Sequence, residues 1–237
     1  MRSFIPSLDD LRRTVRLAAP VAFVQVGMMA MGMVDIIMVG HVSGVALAAV
    51  ALGNLYFFGT VIFGMGVLMA LDPVIAQSVG AGDNLGVSRG LQRGLILAVA
   101  LTIPATPIML AAGPVLHWLA QPPDVVPLAA RYDWISIPGI LPFFAFLVLR
   151  QTLQAQHRMR SIVLTIIISN LLNAALDWVL IFGHLGFPAS GVVGSAWATM
   201  LSRWFMAFAM LGAGWSGLGG YLFPIQPRAL ELAPFRR

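Results

Sequence analysis

The chain has 237 residues, of which 59% are hydrophobic and only 10% are charged, and its mean hydropathy is +0.89. Soluble domains carry about 25% charged residues, so this composition excludes a water-soluble globular fold. The absence of cysteine excludes disulfides, thiol catalysis and cysteine metal sites. All the basic side chains other than histidine are arginines lying mostly between apolar runs, so the net charge of +5 indicates membrane topology and not nucleic-acid binding.

Six stretches reach the ~20 predominantly apolar residues that a helix needs to cross ~30 Å of hydrocarbon. In chain order they lie at approximately 17–39, 47–71, 91–113, 127–149, 162–183 and 191–213. Each is too long for a strand, and lipid tolerates only helices or closed barrels. The sequence therefore predicts an all-α polytopic membrane protein: a six-transmembrane-helix bundle over 17–213, preceded by an N-terminus at 1–16 and followed by a linker at 214–237.

Arginines cluster at alternate ends of these spans. They precede helix 1, follow helices 2 and 4, and follow helix 6: Arg2, Arg12, Arg13, Arg16, Arg89, Arg93, Arg150, Arg158, Arg160, Arg228, Arg236 and Arg237. The other three connectors contain none, and Arg131 is the single basic residue near an outer end. Because cytoplasmic loops carry the excess of arginine, both termini are predicted to be cytoplasmic, in a multi-pass protein of the plasma (inner) membrane.

Polar side chains within the spans mark a candidate site, because an ionisable residue in hydrocarbon is costly. Asp35 lies in helix 1 and Asp177 in helix 5. Helix 5 carries a polar stripe at i+4 spacing, and helix 6 a shorter one: Thr165, Ser169, Asn173 and Asp177, then Ser195, Thr199 and Ser202. Such stripes are expected to face each other or water.

Depth along the helices places four of these groups together in the outer half of the membrane. Asp35 and Asp177 lie roughly 7–9 Å below the outer interface, and Asn173 and Thr199 ~14–15 Å below it. Two adjacent carboxylates should share a proton or recruit a cation, so the cluster is predicted to bind and release H⁺ or Na⁺. The alternative is that each aspartate caps a shortened helix at the interface.

Several motifs, in order and spread over nearly the whole chain, resemble the first lobe of multidrug and toxic-compound extrusion (MATE) transporters. Helix 1 carries Leu17-Ala18-Ala19-Pro20, Val34-Asp35 and Val39-Gly40. Ala70-Leu71-Asp72-Pro73-Val74-Ile75-Ala76-Gln77 and Gly80-Ala81-Gly82 close helix 2. Helices 5 and 6 carry Asn173 through Asp177, Ile181-Phe182-Gly183, Gly186-Phe187-Pro188 and Gly194-Ser195-Ala196-Trp197-Ala198-Thr199.

The resemblance implies a cation-coupled antiporter that exports organic cations or other amphipathic compounds in exchange for H⁺ or Na⁺, with no cofactor. In the family, the ion site of the first lobe uses an Asp on helix 1, an Asn and an Asp one turn apart on helix 5, and a Thr on helix 6. These positions match Asp35, Asn173, Asp177 and Thr199. A proline that takes part in bending helix 1 matches Pro20.

Complete family members carry twelve helices in two lobes with the drug chamber between them, whereas this chain has six predicted spans. We therefore expect a truncated or split N-terminal half, which works with a second six-helix lobe or as a homodimer. The alternative is a non-transporting membrane fragment or scaffold. The helix 2 motif resembles the NorM-type branch and Asp177 the DinF-type branch, so H⁺ and Na⁺ both stay open as coupling ion.

No enzyme, structural metal site or nucleic-acid partner is predicted. Gly86-Val87-Ser88-Arg89-Gly90 matches G-x-S-x-G, but that motif needs a strand before it, and here it lies in a predicted connector. Asp72 is interpreted as facing water or as a cytoplasmic gate partner for an arginine. Arg203, near the middle of helix 6, either pairs with an acid or lies beyond the end of a shorter helix. Four aromatic residues near outer ends are typical of the membrane interface: Trp118, Tyr132, Trp134 and Trp178.

Overall fold

The computed structural model describes residues 8–226, with the backbone alone described at residues 8–11, 13–17 and 20. Within 8–226 the chain is helical apart from short connections and contains no strand, which confirms the predicted all-α class. A 3₁₀ turn, Ile137–Gly139, joins the sixth and seventh α-helices. In chain order the α-helices are α1 (Leu8–Gly40), α2 (Gly44–Met69), α3 (Leu71–Gly80), α4 (Asn84–Leu110), α5 (Ala112–Trp118), α6 (Val126–Ser136), α7 (Ile140–Ala155), α8 (Met159–Phe182), α9 (Gly191–Ala213) and α10 (Trp215–Leu222).

Prolines lie at or just after three of the breaks between consecutive helices. Proline has no N–H to donate to the carbonyl four residues earlier, so a helix tends to break near that carbonyl. Pro73 follows the end of α2 at Met69, and Pro114 follows the end of α4 at Leu110, each by four residues. Pro138 lies in the 3₁₀ turn between α6 and α7. The predicted span 127–149 is therefore built from two helices, whereas the spans 47–71 and 91–113 are each followed closely by a further short helix.

Helices also extend beyond the predicted spans on the arginine-rich side. The segment 72–90 was predicted as a connector, but α3 and the first turns of α4 occupy it and leave only a short turn at 81–83. In that turn Gly82 has a φ of +68°, and Asp83 caps α4 by accepting a hydrogen bond from the backbone N–H of Gly86 at 2.9 Å. Likewise α1 begins at Leu8, and α10 lies within 214–237; residues 1–7 and 227–237 are outside the described residues. Hydropathy located the spans, but not these more polar helical extensions.

In the described part of the chain, five helical segments are long and apolar enough to cross a membrane: Val21–Gly40, Gly44–Gly80, Asn84–Leu110, Val126–Ala155 and Met159–Phe182. The sixth predicted span, α9, is 23 residues long but is not among them, because it carries the polar residues Ser195, Thr199, Ser202 and Arg203. All four are buried in the bundle. Large apolar side chains instead point outward, with Phe63 75% exposed and Ile103 70% exposed. Such an apolar exterior is what a lipid environment requires.

Five helices surround the region that holds the candidate site. α8 packs along α9 and against α1, while α6 packs against α2 and α9. Apolar residues from these helices form one buried cluster, which includes Val39, Ile181 and Ala196. A second buried cluster contains Phe57 of α2 and Phe144 of α7. The core therefore gathers α1, α2, α6, α8 and α9 around one buried region.

Two glycines bring α8 and α9 unusually close together. Gly183 ends α8 with a φ of +77°, a left-handed conformation that favours glycine. A Cβ at Gly194 of α9 would lie 2.9 Å from the backbone nitrogen of Ile181 and 2.5 Å from the carbonyl carbon of Leu180. No other residue fits there without moving a backbone, so the two helices form a tight hairpin.

The segment after α10 is tied to α4 by one side chain. Gln92 is buried, and its Nε2 lies 3.0 Å from the carbonyl oxygen of Tyr221 and 3.1 Å from that of Pro224. Its Oε1 accepts a hydrogen bond from the backbone N–H of Gln226 at 2.8 Å. Ser88, one turn earlier on α4, donates to the same carbonyl of Tyr221 at 2.7 Å. α10 is thereby anchored to the N-terminal half of α4.

Candidate ion-binding site

Asp35 lies near the C-terminal end of α1 and is completely buried. Its Oδ1 accepts a hydrogen bond from the side-chain amide of Asn173 at 3.1 Å, and its Oδ2 accepts one from Oγ1 of Thr199 at 2.5 Å. Hydrogen bonds to an ionised acceptor are shorter and stronger than neutral ones, so the two donors can hold a carboxylate in a defined orientation. The contacts join α1 to both helices of the α8–α9 hairpin.

Asp177 lies one turn after Asn173 on α8, and its carboxyl group interacts electrostatically with that of Asp35. It is completely buried, and apart from the neighbouring Asp35 carboxyl no side chain or backbone group among residues 8–226 bonds to its carboxyl oxygens. The side-chain carbonyl of Asn173 also has no partner there. An unpaired charge is very costly away from water, so this group of oxygens is suited to a proton or a small cation. Asp35, Asn173, Asp177 and Thr199 thus lie in one buried cluster.

Tyr132 and Asn54 are further polar members of this cluster that the sequence did not single out. The hydroxyl of Tyr132 donates to Oδ1 of Asn54 at 3.1 Å, and it lies 3.5 Å from Oδ2 of Asp35, too far for a strong hydrogen bond. The interpretation of Tyr132 as an interfacial aromatic was wrong, because the residue is completely buried on α6. Asn54 is the one amide in the apolar run of α2, a signal that could have pointed to it.

The polar stripes of α8 and α9 lie inside the bundle. Every member is buried, and the two helices that carry them pack along each other: Thr165, Ser169, Asn173 and Asp177 on α8, and Ser195, Thr199 and Ser202 on α9. Four of their hydroxyls make no hydrogen bond within the described residues: those of Thr165, Ser169, Ser195 and Ser202. The stripes therefore extend a line of polar groups from the carboxylate cluster along the hairpin.

A cavity of about 50 Å³ borders the cluster between α1, α2, α8 and α9. Thr199 forms part of its wall, together with Met28, Met31, Asn170 and Arg203. Two wider grooves, of about 690 and 720 Å³, are lined almost entirely by apolar side chains and by no charged residue. The small cavity is therefore the one connected to the polar groups. Pro20, the predicted bending residue, lies where α1 is described by its helical backbone alone, and its side chain is outside the described part.

Arg203 fits neither of the two interpretations that its sequence position suggested. α9 continues to Ala213, so the helix does not end before Arg203. Its guanidinium lies over the ring of Phe57, 3.6 Å from the ring centroid, and not against a carboxylate. Asp72, the other charged residue with two interpretations, is half-buried in the first turn of α3 and interacts electrostatically with Arg150 of α7.

The G-x-S-x-G pattern has a structural role. Ser88 lies within α4, is buried, and uses its hydroxyl to hold the carbonyl of Tyr221. No strand precedes it in residues 8–226, whereas the hydrolase motif requires one. Within the same residues, no group of three or more His, Cys, Asp or Glu side chains is arranged to hold a metal ion.

Comparison with curated proteins identifies relatives of about twice this length. The MatE family profile matches residues 20–179. A protein of Rhizobium meliloti named "Probable multidrug resistance protein NorM" is 35% identical over 202 residues, covering 85% of this chain and 42% of that protein. A NorM protein of Geobacillus kaustophilus is 30% identical over 237 residues, covering 100% of this chain and 50% of its own length. The chain thus spans about half the length of these relatives.

Solved structures give the same result. A structure of MATE in the bent conformation superposes with a TM-score of 0.77 at 26% identity, covering 91% of this chain and 49% of that one. An outward-facing multidrug resistance MATE family transporter gives a TM-score of 0.76 at 26% identity, covering 92% and 47%. The family profile covers more than half of the chain, and the resemblance read from the sequence motifs is confirmed. The chain belongs to the multidrug and toxic-compound extrusion (MATE) family of membrane transporters.

Proposed function

We propose that this chain is the N-terminal lobe of an antiporter that exports organic cations and other amphipathic compounds in exchange for H⁺ or Na⁺. The observation that carries the proposal is the completely buried Asp35, held by Asn173 and Thr199 next to Asp177 within membrane-spanning helices. Relatives named as multidrug resistance proteins support the class of transported compound. The chain acts as a transporter and not as an enzyme, and it requires no cofactor apart from the coupling ion.

The coupling step follows from the charge of the cluster. With an ion or proton between Asp35 and Asp177, the two carboxyl groups attract it jointly and α1 stays packed on α8. Without it, the two carboxylates repel each other in a medium of low dielectric constant, which favours movement of α1 away from the hairpin. Ion and drug then compete through one conformational equilibrium, because each binds more tightly to a different state.

The drug chamber in this proposal has a second wall. The chain spans about half the length of its relatives, so we infer that a second six-helix lobe, or a second copy of this chain, faces the cavity at Met28 and Met31. The protein lies in the inner membrane as a multi-pass chain with 1–16 and 214–237 on the cytoplasmic side, as the arginine distribution indicates. A lobe that inserts but does not transport is the alternative.

Efflux measurements test the proposal. The chain is expressed in an efflux-deficient strain, alone and together with the second half of a relative, and ion-driven export of a cationic dye is followed. We expect Asp35→Asn and Asp177→Asn to abolish ion-driven export without loss of membrane insertion, whereas the exposed Asp124→Asn keeps it. Undiminished export by both site variants would exclude the ion site. Lack of export in every combination would favour the non-transporting alternative.

A further inference from the structure

Arg203 carries a buried charge that has no role in the proposed coupling step. It is only 5% exposed, although a guanidinium within a membrane-spanning bundle is costly unless something compensates it. Compensation comes from aromatic rings: its Cζ lies 3.6 Å from the centroid of Phe57 and 6.0 Å from that of Phe143. Its Nη1 has no hydrogen-bond partner among residues 8–226. The Nη1 amino group of the guanidinium is therefore uncommitted.

The same side chain lies next to the carboxylate cluster. Arg203 follows Thr199 by one helical turn on α9, so both are on one side of that helix, and both line the small cavity. Thr199 donates directly to Asp35. Arg203 itself interacts electrostatically with Asp35 and Tyr132. A permanent positive charge thus stands beside the place where a coupling ion would bind.

A third carboxylate faces Arg203 from α6. Asp133 is completely buried, and neither of its oxygens has a hydrogen-bond partner among the described residues. It interacts electrostatically with Arg203, and Ser136, one turn later on α6, has an equally unpartnered hydroxyl. The guanidinium therefore interacts electrostatically with both Asp35 and Asp133, but its direct contact is with the ring of Phe57. From this position the guanidinium can move to a carboxylate.

We propose that Arg203 is a tethered cation that competes with the coupling ion for Asp35: Phe57 holds it while the ion is bound, and it moves to a carboxylate when the ion leaves. This inference rests on the proposed function, because it assumes an ion at Asp35. Two neighbouring positive charges in a medium of low dielectric constant repel each other strongly. Arrival of an ion at Asp35 therefore drives Arg203 onto the ring, and departure of the ion lets it return and neutralise the vacated acid.

Ion titrations of the purified full chain in detergent test the competition. The infrared band of protonated carboxyl groups is followed while the H⁺ concentration and then the Na⁺ concentration are varied. Arg203→Met removes the competing charge, and we expect the half-saturating concentration of the bound ion to fall by about tenfold or more. Phe57→Leu removes the ring that holds Arg203 away, and we expect the half-saturating concentration to rise. A purely structural role for either residue would not produce opposite shifts.

Three further variants separate the possible outcomes. Arg203→Lys retains the charge and should shift the titration less than Arg203→Met, and the exposed Arg158→Met, the same chemical change elsewhere, should not shift it. If Asp35→Asn abolishes the titration but Arg203→Met leaves it unchanged or weakens binding, the competition is wrong and the ion site stands. If Asp35→Asn titrates like the parent chain, the proposed function itself fails. Should Arg203→Met not fold, an unchanged or lowered half-saturating concentration in Phe57→Leu overturns the inference.

Discussion

Asn173 donates a hydrogen bond from its side-chain amide to Oδ1 of Asp35 at 3.1 Å, and so connects α8 with α1 inside the bundle. The two residues are 138 positions apart in the chain, and each is completely buried. The carbonyl oxygen of the same amide has no hydrogen-bond partner among the described residues, and Asp177 follows one turn later on α8. One side chain thus holds Asp35 and leaves an oxygen free to ligate a cation.

Replacing Asn173 by alanine is expected to weaken Na⁺ binding by roughly ten- to a hundredfold. The substitution removes an amide oxygen that can ligate the cation and the hydrogen bond that orients Asp35, and a hydrogen bond to a charged group contributes about 1.5–3 kcal/mol. The Na⁺ titration described above measures the effect. The control is Asn170→Ala on the same helix, whose amide donates to the carbonyl of Gly27 at 2.9 Å and not to Asp35. Equal weakening by the two variants would contradict a specific role for Asn173.

Tyr132→Phe is expected to lower stability while changing ion affinity little. The variant deprives the buried Oδ1 of Asn54 of its donor, which costs about 1–3 kcal/mol. The hydroxyl of Tyr132 lies 3.5 Å from Oδ2 of Asp35, which is too far for a hydrogen bond that would change ion binding by this carboxylate much. Thermal unfolding in detergent and the ion titration give the two quantities. A loss of ion affinity as large as that of Asn173→Ala would instead make Tyr132 part of the ion site.

Gly194→Ala is expected to disrupt the α8–α9 hairpin. The added Cβ would collide with the backbone of Leu180 and Ile181, and overpacking of this kind costs about 1–3 kcal/mol or more. Gly212→Ala on the same helix is the matched control, because a Cβ there meets nothing within 4 Å. The midpoint of thermal unfolding compares the two. If both substitutions are tolerated equally, the helices are less tightly packed than the structure indicates.

Gln92→Met is expected to release the segment that follows α10. Its side chain bonds backbone groups of that segment on both sides of Pro224, and no other residue of α4 could replace all of these contacts. Loss of about 1–3 kcal/mol should speed amide hydrogen exchange of residues 221–226 by roughly ten- to a hundredfold. The exposed Gln77→Met serves as the control. Unchanged exchange in the Gln92 variant would show that other contacts retain the segment.

The absence of cysteine makes the predicted topology directly testable. A single cysteine at the exposed Arg160 should react with an impermeant thiol reagent only from the cytoplasmic side. One at the exposed Asp124, in the connector without arginine, should react only from the outside. Labelling of intact cells and of inverted vesicles distinguishes the two. Reaction of both positions from one side would reject the predicted orientation of the termini.

Much of this fold could be predicted because a lipid bilayer admits only helices or closed barrels as membrane-spanning structures. Long apolar runs located the spans, and the cost of a charge in hydrocarbon drew attention to Asp35 and Asp177. Tyr132 was misplaced because an aromatic residue near a helix end resembles an interfacial one, and only packing of α6 on α2 decides which way it points. Arg203 could not be assigned either, because its partner is the face of Phe57, and no sequence pattern distinguishes that ring from any other core aromatic. The sequence did not show which distant helices pack against each other, and the surroundings of Tyr132 and Arg203 both depend on that packing.

The tight contact at Gly194 holds three of the four residues of the proposed ion site on one rigid pair of helices. Asn173, Asp177 and Thr199 all stand on the α8–α9 hairpin, whose backbones touch and cannot slide past each other without collision. Asp35 alone stands on α1, which joins the hairpin through its packing on α8 and through the hydrogen bonds from Asn173 and Thr199. In the proposed mechanism the site therefore opens between α1 and α8. A covalent bridge between these two helices would then keep the site closed and block the proposed transport, whereas a bridge within the hairpin would leave it intact.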